Sequence, residues 1–102
     1  LWAGVPLITC IGSTFAGRVG ASALKAVGLP ELITTSLEEY EALALKLATD
    51  SALLAAVKAK LAAQRLTTPL FDTDQFTRNL EALYLKMWER AQTGEAPAPL
   101  SV

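Results

Sequence analysis

The stretch Leu7–Ile33, "LITCIGSTFAGRVGASALKAVGLPELI", decides the fold. It opens apolar and partly β-branched, breaks at Gly12-Ser13-Thr14, and resumes with small residues around a single arginine, Arg18. Val5 to Ile11, bounded by Gly4 and Gly12, reads as a buried strand. Its apolar residues do not alternate, which suits a strand covered on both faces in a parallel sheet. Ser13 or Thr14 is placed to cap a helix that runs to about Val27, where Gly28 ends it and Pro30 forbids its continuation. Gly17 and Gly20 lie inside that helix, where each costs about 1 kcal/mol against alanine. They read first as points of close packing against the sheet and second as points of backbone approach to a ligand.

Downstream, Leu32–Ile33 is a candidate second short strand, and helices follow. Ser36 and Glu39 form a capping box, after which Leu37, Tyr40, Leu43, Ala44 and Leu47 share one face of a helix ending near Asp50. Asp50 caps a third helix whose Leu54, Val57 and Leu61 make a stripe opposite Lys58 and Lys60. Asp72 and Gln75 make another capping box, with Phe71 and Phe76 spaced for a hydrophobic staple. The last helix spans about Thr73 to Thr93, with Phe76, Leu80, Leu83, Tyr84, Met87 and Trp88 on its apolar side, and Gly94 with the Pro-Ala tail ends it. The expectation is a helix-dominated α/β fragment with one or two short strands and four helices. A lone apolar strand would either pair between molecules, giving self-association, or leave the N-terminal residues loosely ordered. The divisions drawn are residues 1–35 (strand, turn, helix), 36–94 (helical) and 95–102 (a flexible tail).

Composition narrows the chemistry. The 102 residues carry a formal charge of -1, which offers no field to attract nucleic acid or anionic lipid, so neither nucleic acid nor membrane is an expected partner. Arg18, Lys25 and Glu31 leave residues 1–35 net basic, the half less hostile to an anion. No stretch reaches the ~18 uninterrupted apolar residues of a membrane span. "LWAGVPLITCIG" lacks the basic region of a signal peptide and contains Pro6, and one cysteine makes no internal disulfide, so a cytoplasmic location is expected. Cys10 reads as a small core residue. Histidine is absent, so Ser-His-Asp and Cys-His constellations cannot be assembled and zinc would find one cysteine plus carboxylates. Glu38, Glu39 and Glu41 sit where a helix dipole and a solvated face want them, and no metal site or catalytic residue is assigned. With Leu1 inside an apolar stretch, the chain reads as a piece of a larger protein.

The position best suited to a ligand is the turn itself. In parallel sheets, ligands bind beyond the carboxyl ends of strands, beside the amino ends of the following helices, where free amides and the dipole favour anions. Gly12, Ser13 and Thr14 occupy that place, and Arg18, one turn further, brings fixed donors for a phosphate, a hydroxyl or a carboxylate. The same residues also serve as a helix cap and a surface arginine.

The segments "LWAGVPLIT", "TFAGRVGASAL", "GLPELI", "EEYEALALKLATD" and "TTPLFDTDQFTRNLEALYLKMWE", in this order, resemble the C-terminal end of the O-GlcNAc transferase and SPINDLY family of glycosyltransferases, from Leu1 to about Gly94. The resemblance implies a C-terminal piece of a Rossmann-like, nucleotide-sugar-binding lobe of GT-B type. Its parent would carry tetratricopeptide repeats and move a sugar, UDP-GlcNAc being the implied donor, to Ser or Thr hydroxyls of an acceptor protein. In SPINDLY-type relatives the donor is fucosyl. In GT-B enzymes the equivalent loop and first helical turn line the sugar-donor pocket, which points to Gly12, Ser13, Thr14 and Arg18. Where the family often has Pro-Gly-Glu-Thr, this chain has Ile11-Gly12-Ser13-Thr14, a hydroxyl in place of a carboxylate. The family's His-Thr-Thr segment, ribose-binding aspartate and phosphate-contacting lysine belong before Leu1, so the fragment alone is expected to be inactive. The rival reading is a non-catalytic helical interaction module whose last helix docks a partner.

Overall fold

Four helices and one two-stranded parallel sheet make up the computed structural model, which describes residues 1–102. In chain order these are β1 (Thr9–Cys10), α1 (Phe15–Ala26), a 3-10 turn (Pro30–Leu32), β2 (Ile33–Thr34), α2 (Leu37–Thr49), α3 (Ser51–Gln64), a second 3-10 turn (Pro69–Phe71) and α4 (Thr73–Gln92). The chain divides into two units, Leu1–Phe71 and Asp72–Val102.

The caps expected from the sequence start all four helices. Thr14, Ser36, Asp50 and Asp72 each accept, through the side chain, the amide three residues on, which satisfies one of the free donors of a helix start. At the α2 start, Glu39 reaches one residue further back than a capping box requires. Its Oε2 accepts both the amide and the hydroxyl of Thr35, each at 2.8 Å.

The end of α1 organises the first unit. Gly28 takes φ +77°, a left-handed conformation that costs other residues roughly 1–2 kcal/mol. The Leu29 amide then donates to the Leu24 carbonyl at 2.8 Å and the Gly28 amide to the Lys25 carbonyl at 3.1 Å, the paired bonds of a Schellman motif. Leu24 and Leu29 are both fully buried beside Val27, Leu32, Leu47, Val57 and Leu61, so the cap and the core are the same place. Each such side chain contributes roughly 1.5–3 kcal/mol by leaving water. From α3, the Gln64 amide nitrogen, oriented by the two carbonyls it faces, donates to Val27 and Gly28 at 3.1 Å each. A side chain from a distant helix thereby satisfies carbonyls that α1 cannot satisfy itself.

Several expectations are corrected here. The strand expected over Val5–Ile11 is regular only at Thr9–Cys10, because a ladder extends only as far as its partner, and β2 offers two residues; Pro6 also has no amide to give. The second strand is Ile33–Thr34 rather than Leu32–Ile33, since Leu32 closes the preceding 3-10 turn by donating to Leu29 at 3.2 Å. β1 finds its partner within the chain, Thr9 opposite Ile33 and Cys10 opposite Thr34. On α2, Leu43, Ala44 and Leu47 turn inward, but Leu37 is 74% exposed and Tyr40 also lies outside, so the covered stripe begins at the second turn. On α3, Val57 and Leu61 are buried and Leu54 half-buried. Phe71, one half of the expected staple, packs edge-on against Trp2 with ring centroids 5.0 Å apart, while Phe76 is 63% exposed.

Arg65, at the end of α3, holds the first residues down. Its Nη1 donates to the Trp2 carbonyl at 2.7 Å and its guanidinium lies 5.3 Å from the centre of a Trp2 ring. Lys60 pairs with Glu31 at 2.7 Å, joining α3 to the first 3-10 turn. Burial would raise the Glu31 pKa, but the Lys60 hydrogen bond, a backbone amide and the Lys60 charge outweigh it and hold the carboxyl below its ordinary value.

In the second unit, α4 ends as α1 does. Gly94 is left-handed, its amide donates to Ala91 and the Glu95 amide to Arg90, both at 3.1 Å. Leu80 and Leu83 are half-buried, whereas Tyr84, Met87 and Trp88 from the expected apolar side are exposed.

Two outcomes follow for stability. Gly28→Ala introduces a strained φ and a Cβ 2.9 Å from the side-chain amide of Gln64, whereas Gly4→Ala meets a similar φ of +81° with open space around it. Urea unfolding should therefore show Gly28→Ala losing more than the roughly 1–2 kcal/mol of strain alone, and more than Gly4→Ala. The Glu39 carboxyl is held below its ordinary 4.5, first by the Thr35 amide and then by the Thr35 hydroxyl. A lowered folded pKa gives stability that is present above the unfolded pKa and lost as pH falls through the folded one. The protection of the Thr35 amide, its exchange rate taken relative to the intrinsic rate at the same pH, should thus fall only at a pH below 4.5, and Glu39→Gln should flatten that dependence.

Candidate functional site

Where β1 ends, the chain turns through Ile11-Gly12-Ser13-Thr14 into α1, and the sequence-derived residues come together there. The Gly12 amide donates to the Gly17 carbonyl at 2.9 Å, folding the turn back onto the first turn of the helix. Backbone meets backbone at this point. A Cβ on Gly17 would stand 3.1 Å from the Gly12 Cα, and one on Gly12 would stand 3.3 Å from the Gly17 Cα. Gly20 meets the side chain of Thr9 in the same way, at 2.9 Å. The helix glycines therefore serve close packing, the first of the two readings drawn from sequence.

Thr14 Oγ1 accepts from the Gly17 amide at 3.1 Å. With the amides of Gly12 and Gly17 occupied, those of Phe15 and Ala16 in the first helical turn, like those of Ser13 and Thr14 just before it, have no partner in the chain. Arg18 curls toward the same end, its Nε donating to the Thr14 carbonyl at 3.3 Å. The first turn of α1 contains no acidic residue, so the dipole and the guanidinium add without opposition. Gly12, Ser13, Thr14 and Arg18 are all exposed, and so is Phe15, at 81%. Chemically the arrangement can hold an anion or a polar hydroxylated group through amides and a planar cation.

Phe15 stands beside the turn with its ring in solvent, and nothing in its spacing along the sequence marks it out. Cys10 is half-buried as a free thiol in β1. No group of three His, Cys, Asp or Glu residues could hold a metal ion, and no helix is long and apolar enough to cross a membrane. Within the second unit, Leu83, Met87 and Ala91 face Pro97, Pro99 and Leu100 across an apolar cavity of about 510 Å³. The charged groups at its edge, Arg90 and Glu95, are already paired at 3.0 Å.

Residues 1–80 match the family model described as glycosyl transferase family 41. Over the whole chain it is 46% identical to the probable UDP-N-acetylglucosamine–peptide N-acetylglucosaminyltransferase SEC of Arabidopsis thaliana. It is 42% identical, over 96% of its length, to the probable enzyme of the same activity named SPINDLY in Petunia hybrida. A Caenorhabditis elegans UDP-N-acetylglucosamine–peptide N-acetylglucosaminyltransferase is 38% identical over 92% of the chain. The chain spans 10%, 10% and 8% of these relatives' own lengths. The order of segments, the turn at the head of α1 and this match together place the chain in glycosyl transferase family 41.

Proposed function

We propose that this chain is part of the C-terminal, nucleotide-sugar-binding lobe of a GT-B protein O-glycosyltransferase that moves N-acetylglucosamine from UDP-GlcNAc to Ser or Thr hydroxyls of an acceptor protein. The family match over residues 1–80 carries the reading, with relatives named for that donor and a peptide acceptor. In this reading residues 1–35 supply the strand, turn and helix at the pocket, 36–94 the helical C-terminal part of the same lobe and 95–102 a flexible tail. The protein works in the cytoplasm, alongside an upstream lobe and tetratricopeptide repeats. Residues 1–102 alone do not transfer sugar, because transfer needs donor and acceptor held together by both lobes.

Gly12, Ser13, Thr14 and Arg18 line the sugar-donor pocket. When the acceptor hydroxyl attacks the anomeric carbon, the sugar–phosphate bond breaks and negative charge collects on the departing diphosphate. The diphosphate is already anionic in the bound donor, so the uncommitted amides at the helix start and the guanidinium hold it before and during the step alike, and their contribution falls on donor binding. A hydroxyl at Ser13, where relatives often carry a carboxylate, removes a repulsive charge from this neighbourhood.

The test is Arg18→Ala in the whole transferase. The KM for UDP-GlcNAc, and the inhibition constant of UDP, should each rise about tenfold, the loss of one charge-assisted hydrogen bond, while the affinity of uridine, which lacks phosphates, should stay the same. Unchanged binding and turnover would reduce the turn to scaffolding.

A further inference from the structure

Thr34 is the one buried polar residue of the chain, at 6% exposure, and it grips β1 twice. Its side-chain hydroxyl donates to the Thr9 carbonyl at 3.0 Å, and its own carbonyl accepts the Ile11 amide at 2.9 Å. The second bond is the last between the two strands before the chain leaves for Gly12, so it fixes where β1 stops. The first is a bond that valine, of the same shape, could not make. From the other side Thr9 is pressed by α1, where a Cβ on Gly20 would lie 2.9 Å from Thr9 Oγ1. Thr9 is therefore held between Thr34 and α1, and the turn three residues later inherits its position from that grip.

A two-residue ladder is a weak anchor, since few bonds oppose the fraying of a strand end. One additional hydrogen bond in a buried setting is a large fraction of what holds it. A buried threonine hydroxyl also carries a desolvation cost that valine would avoid, so a merely space-filling role would be better served by valine.

We propose that Thr34 is a positioning residue for the Gly12–Thr14 turn: its hydroxyl sets the end of β1 and thereby the placement of the turn and of Arg18 against the nucleotide sugar. The inference rests on the reading of that turn as part of the sugar-donor pocket. Thr34 touches no substrate and acts only through Thr9 and Ile11.

The experiment is steady-state kinetics of the whole transferase carrying Thr34→Val or Thr34→Ser. Thr34→Val should raise the KM for UDP-GlcNAc about fivefold, the equivalent of one net hydrogen bond, and leave the acceptor KM and kcat in place. Thr34→Ser, which keeps the hydroxyl, should restore the wild-type value. If Thr34→Val does not yield folded protein, Thr34→Ala deletes the same hydroxyl with a smaller side chain and should show the same split. An unchanged UDP-GlcNAc KM in the hydroxyl-less variants, or a rise that serine does not reverse, overturns the inference. Arg18→Ala separates the two levels. If it raises the KM and loss of the Thr34 hydroxyl does not, the pocket reading stands and the role of Thr34 falls; if neither variant moves it, the pocket reading falls and takes this inference with it.

Discussion

The left-handed turn at Gly28 is the constraint on which the first unit depends. It lets the chain reverse at the end of α1 within two residues, so that Leu24 before the turn and Leu29 and Leu32 after it enter one core. Gln64 then reaches from α3 to the two carbonyls that the reversal leaves open. Polar satisfaction and apolar burial are met by the same few residues. Without the reversal, β2 would not come beside β1, and the parallel pair would have no second strand.

From that pair the turn at the head of α1 takes its place. The sheet is only two residues deep, yet it is flanked by contacts that make it specific: Thr34 on one side of Thr9 and the bare backbone of Gly20 on the other. Arg65 and Trp2 pin the chain that enters β1, and Lys60 with Glu31 pins the chain that enters β2. Both clamps come from α3, the helix with the least polar contrast around its circumference. Its exposed positions are mostly alanine, and side-chain size rather than polarity marks its inner stripe of Val57 and Leu61.

Local chemistry made much of this legible. The four N-caps and the glycine stops at 28 and 94 are short-range features, each needing only residues within five positions of one another, and all are found where the sequence puts them. What escaped depends on partners far away in the chain. An apolar run such as Val5–Ile11 states that a segment wants burial, but the length of its ladder is set by what lies beside it. Gln64 and Arg65 carry no sequence sign that one will close α1 and the other will hold Trp2, because both contacts appear only when α3 is laid across the core. The candidate site divides in the same way. Its place followed from a strand, a turn and a helix start, and its family from the order of five segments. The internal bond from Gly12 to Gly17, which removes one amide from the set a ligand could meet, had no signature at all.

That bond carries a thermodynamic consequence. A glycine-containing loop ordinarily samples many conformations and must surrender them when something binds. Here the Gly12 and Gly17 backbones are in contact, with Thr14 closing the same small ring, so the freedom is already lost when the chain folds. A molecule arriving at the head of α1 therefore meets amides whose directions are set in advance, and the entropy of ordering them is charged to folding and not to association.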